Sequence, residues 1–184
     1  MAILSKSNWV ARDLPKNGMA STLLEISRRI GEHGNFRTSG VATSSDPAGR
    51  RVVFPNAEEI EGQLELFDHL RKTEGSAPKF YFALLALMLI TNCHPFIDGN
   101  GRSARILFNA LLSQNCEHVR VYIPVREFAE FSRGGYLIRM RQAEIRGDIE
   151  AILDFFASIV HYWLNLLTFN ANFIQDMFAQ NESA

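Results

Sequence analysis

The stretch "CHPFIDGNGRSAR", residues 93–105, follows almost directly on an uninterrupted apolar run from Phe80 to Ile90. How these two segments join decides how the chain is read. Eleven apolar residues fall well short of the ~20 needed to cross a bilayer. A helix that is apolar all round sits at the centre of a bundle. Pro95 ends that helix, because proline lacks an N–H and disfavours helical backbone at His94. Gly99 and Gly101 free the backbone for unusual dihedrals. "DGNG" can therefore curl its N–H groups into one concavity that feeds a second helix, expected from Ser103 to Gln114. A nest at a helix start is an anion site. Arg102 and Arg105 are three apart and share a face of that helix. Cations are disfavoured at a helix start, so two arginines there call for an anionic partner, and phosphate is the obvious one. Asp98 would oppose phosphate unless a cation intervenes, and Mg²⁺ typically binds through one or two carboxylates plus substrate phosphates. His94 is the nearby group able to take up a proton near neutral pH. Base, carboxylate and phosphate cradle together describe a phosphoryl- or nucleotidyl-transfer site.

Working outward, Leu23, Leu24, Ile26, Ser27 and Ile30 lie at helical spacing between Ala20 and His33, and Gly31 and Gly34 end the segment. Residues 35–55 change character. "GVAT" and "RVVF" flank the turn-rich "SSDPAG", which reads as a small β-hairpin. "NAEEIEGQLELFDHL" reads as a helix with Asn56 as cap and Glu58 and Glu59 in its first turn. Ser76 and Pro78 start the apolar helix. After the motif, Ile106, Leu107, Ala110 and Leu111 face inward, and "VRVYIPV" looks extended. "VREFAEFSR" and "YLIRMRQAEIR" are further helices, and Gly147-Asp148 separates them from a long amphipathic helix, Asp148 to Leu167. A last segment runs from Ala171 to Gln180. The sum is an all-α bundle of about seven helices with one hairpin.

The 19 basic and 20 acidic side chains nearly cancel, to a net charge of −1. That balance gives no electrostatic case for a nucleic-acid or membrane-surface binder, and Arg133, Arg139, Arg141 and Arg146 read as a solvated helix face. Cys93 and Cys116 have no CxxC spacing and read as buried free thiols in a reducing compartment. The N-terminus shows no apolar signal core, so a cytoplasmic protein is expected. His33, His69, His118 and His161 show no ligand spacing.

"HPFIDGNGRSAR" resembles the signature of the Fic family, HPFx(D/E)GNGRxxR, with every fixed position present. The likeness extends to "NFR…V…VVFPNAEEIEGQLELF", similar to the family's flap hairpin and following helix, and to "YLIRMRQAEIRGDIEAILDFF", similar to its tail. The resemblance implies a Fic-type helical bundle with a β-hairpin flap beside the active-site loop. The Fic domain would span 19–170, with the flap at about 37–55 and the motif loop at 94–105, between an arm of 1–18 and a tail of 171–184. It implies transfer of AMP from ATP to a Tyr, Thr or Ser hydroxyl of a target protein. His94 would be the general base and Asp98 would hold Mg²⁺ (or Mn²⁺). Gly99, Asn100, Gly101 and Arg102 would cradle the phosphates, with Arg105 reaching the terminal phosphate or supporting the loop. Phe96 would anchor the loop in the core. Val52, Val53 and Phe54 would dock the target by strand addition.

Gly101 separates this chain from the similar Doc branch, which has a lysine there and resembles a kinase in its reaction. Donors of UMP, phosphocholine or phosphate, removal of AMP, and a non-enzymatic nucleotide-binding module are the alternatives. Many members carry an inhibitory (S/T)xxxE(G/N) helix, and here the match is incomplete. Ala57 and Leu70 stand where Ser or Thr would precede Glu61-Gly62 and Glu74-Gly75, and Ile26 follows the Ser21–Glu25 spacing. A separate antitoxin-like inhibitory protein is one partner this suggests.

Overall fold

A computed structural model describes residues 18–45, 47–49, 51–114 and 122–181, with side chains as far as 166. The expected arm lies almost wholly outside the described residues, as do Cys116, His118 and the first three residues of the "VRVYIPV" stretch. The chain divides into two compact units, residues 1–122 and 123–184.

The first unit holds α1 (Met19–Arg29), a 3-10 turn (Ala57–Glu59) leading into α2 (Ile60–Thr73), α3 (Lys79–Cys93) and α4 (Asn100–Leu112). The apolar run becomes α3, which buries Phe82, Ala83, Leu84, Ala86, Leu87, Met88, Ile90 and Cys93. It packs most extensively on α4, and α2 also lies against it. Leu107 and Phe108 of α4, Leu64 of α2 and Leu23 and Ile26 of α1 complete the core at 0–2% exposure. Each such side chain contributes about 1.5–3 kcal/mol through burial. The α3–α4 pair, which carries the motif loop between its helices, is therefore the best-supported part of the unit. Asn56 makes no backbone cap. Its side chain bonds the Glu59 carboxylate instead, at 3.0 Å.

Two expectations are corrected. The hairpin does not form as strands among the described residues. A single antiparallel bridge joins Ala42 to Val53, with Thr43 N–H donating to Val52 O at 2.9 Å and Phe54 N–H to Val41 O at 3.1 Å. Two four-residue runs without a third strand bury too little to extend the ladder. The second helix of the motif starts at Asn100 rather than Ser103, so half of the motif is helical.

The second unit holds α5 (Val125–Phe131), α6 (Gly135–Arg146) and α7 (Glu150–Asn181). Asp148 Oδ1 accepts from Glu150 N–H at 3.1 Å and so caps α7, which runs on as one helix where two were expected. Nothing between Leu167 and Ala171 breaks it, since neither glycine nor proline occurs there. Tyr136 packs against Phe155 and Phe156. No helix among the described residues is long and apolar enough to cross a membrane.

Candidate active site

α3 ends at Cys93, and His94 is its C-cap in left-handed backbone (φ 51°, ψ 59°). That conformation costs a residue with a Cβ about 1–2 kcal/mol, so something must hold it. His94 N–H closes the last turn on Ile90 O at 3.0 Å. The main restraint is Arg37, 3% exposed. Its Nε donates to His94 O (2.8 Å), Nη1 to Ser39 O (2.8 Å), and Nη2 to Pro55 O (2.5 Å) and Cys93 O (3.2 Å). Its backbone N–H donates to Pro95 O at 2.9 Å. The last carbonyls of a helix lack intrahelical donors and carry partial negative charge. A buried guanidinium on them satisfies both needs together.

The His94 ring is set from two sides. Nδ1 lies 3.3 Å from Thr91 O. A carbonyl can only accept, so Nδ1 carries the proton and the Nε2 lone pair is left as the basic atom. Phe54 covers one face, with ring centroids 3.9 Å apart and planes at 15°. Burial holds the His94 pKa below its ordinary 6.5; the hydrogen bond to Thr91 opposes this and the Arg37 charge reinforces it. The ring is therefore neutral at neutral pH. Burial pushes the neighbouring Cys93 thiol up to about 11, which makes it an inert core group rather than a nucleophile.

The loop beyond is closed on itself. Phe96 is buried, its ring 5.5 Å from that of Phe36. Asn100, 3% exposed, accepts from Phe96 N–H at 2.9 Å through Oδ1 and donates to Phe96 O at 2.8 Å through Nδ2. The amide expected in the phosphate cradle is thus committed to bracing the loop. Gly99 caps α4 at φ 81°. Gly101 is helical, so its smallness serves space rather than dihedral freedom: a Cβ there would stand 3.1 Å from Arg105 Nη1. Gly99 offers no side-chain cap to α4, and Asp98 Oδ1 accepts from Gly99 N–H at 2.5 Å, so the start of the helix already draws a carboxylate.

Asp98 is 79% exposed, and its Oδ2 lies 3.4 Å from Arg102 Nη2. The same nitrogen is 2.6 Å from Glu32 Oε1. Among the described residues no group of three or more His, Cys, Asp or Glu is placed to hold a metal. One exposed hard carboxylate suits a Mg²⁺ ion whose remaining ligands are phosphate oxygens and water. Val53 is 77% exposed and Val52 38%. Phe54 does not present itself outward beside them, because its ring is spent on His94. Among the other histidines, His33, His69 and His161 are exposed. Glu25, which has the inhibitory spacing from Ser21, is bound to Arg28 and Arg29. The residues that sequence reasoning missed are Arg37 and Glu32. The signal for the first was a lone cation, "NFRTSG", just before the turn-rich segment.

The loop between α3 and α4 thus brings together a part-buried imidazole, an exposed carboxylate and a helix start with two arginines. The family model described as Fic/DOC family matches residues 19–112. The chain is 31% identical over 137 residues to a protein of Nematostella vectensis named protein adenylyltransferase Fic, covering 73% of this chain and 30% of that relative. A protein of the same name from Drosophila grimshawi is 30% identical over 140 residues, covering 72% of this chain and 27% of the relative. A Fic family protein from Desulfovibrio desulfuricans G20 shares the fold, with a TM-score of 0.71 at 15% identity over 91% of this chain and 51% of that one. The chain belongs to the Fic/DOC family, and it spans less than a third of the length of these two named relatives.

Proposed function

We propose that the chain transfers AMP from ATP to a Tyr, Thr or Ser hydroxyl of a target protein. The observation that carries this reading is the imidazole of His94, neutral, tautomerically set and one loop away from an anion-ready helix start. Its relatives' shared name, protein adenylyltransferase Fic, supports it.

In this mechanism Nε2 of His94 takes the proton of the target hydroxyl as the oxygen attacks the α-phosphorus. The bond from that phosphorus to the bridging oxygen breaks, and pyrophosphate leaves. The amides at the start of α4, with Arg102 and Arg105, hold the phosphates. Arg102 exchanges Glu32 and Asp98 for phosphate oxygens. Mg²⁺ held by Asp98 supplies neutralisation of the phosphate charge when bound. The protein's contribution is positioning and charge stabilisation, with about 10²–10⁴-fold from the base. Val52 and Val53 offer the apolar edge on which an extended target segment docks.

The test is label transfer in a host lysate. Label from α-³²P-ATP should enter protein, and His94→Ala should abolish it. Label from γ-³²P-ATP entering protein would replace this reading with phosphate transfer. Gly101, where the Doc branch has a lysine, supports AMP over phosphate as the donated group. Mass analysis with other nucleotides separates UMP and phosphocholine donors by the increment.

A further inference from the structure

Arg37 lies far from the motif in sequence, yet among the described residues its side-chain hydrogen bonds end in two places. Cys93 O and His94 O belong to the end of α3 that carries the candidate base. Ser39 O and Pro55 O flank the segment that carries Phe54. Phe54 in turn stacks on the His94 ring. The guanidinium is planar and rigid, so its donors cannot adjust independently. A shift at either end of the segment is therefore felt at the backbone of His94 and at the ring covering it.

We propose that Arg37 is a positioning residue for the transfer reaction, a clasp that sets His94 and its Phe54 cover as one unit. The inference rests on the reading of His94 as the base. The geometry favours positioning over mere stability. A cation needed only to fill the core could be matched by a carboxylate. Here it is spent on carbonyls at the end of α3 and on carbonyls that flank the Phe54 segment. The charges facing His94 are consistent with a neutral base. Arg37 approaches from the segment before the bridge, the Cys93 thiol is held neutral by burial, and Phe54 brings no charge. Beyond the loop, Arg102 is paired with Glu32 and Asp98.

The experiment follows the His94 Cε1 proton by NMR, assigned by its loss in His94→Ala, together with transfer from α-³²P-ATP to the lysate proteins that wild type labels. A phenyl ring stacked on the imidazole shifts that proton upfield in wild type. Arg37→Lys keeps the charge and loses the fork. The expected result is a folded protein whose His94 proton moves to the position given by Phe54→Leu, with transfer reduced ~10- to 100-fold in both variants. Arg37→Lys that merely melts earlier, with wild-type shift and transfer, overturns the clasp. Should Arg37→Lys fail to fold, Phe54→Leu decides: an unchanged shift or unchanged transfer overturns it. If wild type transfers no label, the proposed function fails, while the NMR comparison still judges whether Arg37 sets the His94 ring.

Discussion

The imidazole of His94 is held by two neighbours and by burial, and each leaves a measurable mark. Thr91 fixes which nitrogen is basic, Phe54 fixes the ring plane, and burial removes the water that would favour the charged form. A base must be neutral to act, so protonation switches the reaction off. Because the folded-state pKa lies below the ordinary 6.5, the acid limb of the rate should centre below pH 6.5. Below the His94 pKa the rate should fall about tenfold per pH unit. Initial rates of AMP incorporation against pH check this, and an acid limb centred at or above 6.5 contradicts it. The candidate base was legible because histidine, aspartate and two arginines cluster within twelve residues. The αL backbone of His94 and the clasp on it were not. Both depend on Arg37, which "NFRTSG" shows as a lone cation without showing that it reaches His94 O across 57 positions.

At the scale of elements, Gly99 sets where α4 begins. Its φ of 81° lets the chain turn out of the loop, and a Cβ there would meet Glu32 Cγ at 3.0 Å and Ile30 Cδ1 at 3.2 Å. Gly99→Ala therefore adds backbone strain and crowding together, for an expected loss of about 1–3 kcal/mol in urea unfolding. A loss under about 0.5 kcal/mol would show that the turn relaxes freely. α1 to α4 were legible because their apolar spacing matches a helix and Pro78 and Pro95 bound α3. The start of α4 was placed three residues late because "DGNG" looks like loop chemistry throughout. Tertiary bonding from Asn100 to Phe96 admits Asn100 and Gly101 to the helix. The hairpin expectation failed as strand for the opposite reason. Its local chemistry was favourable, but a two-stranded ribbon gains nothing from neighbours it lacks.

At the scale of the molecule, every candidate site residue falls in the unit formed by residues 1–122. Nucleotide binding should therefore stabilise that unit directly. A ligand at 100 times its Kd adds about 2.7 kcal/mol to the state that binds it. For a unit of this size the gain is a rise of roughly 5–15 °C in its midpoint. Calorimetry with ATP and Mg²⁺ should show this rise. Asp98→Asn should lose most of its Mg²⁺-dependent part, because Asp98 is the exposed carboxylate of the motif loop. If the two units melt separately, only the transition of residues 1–122 should move. A shift confined to the transition of residues 123–184 would place nucleotide binding away from the motif loop, and with it the whole reading of His94.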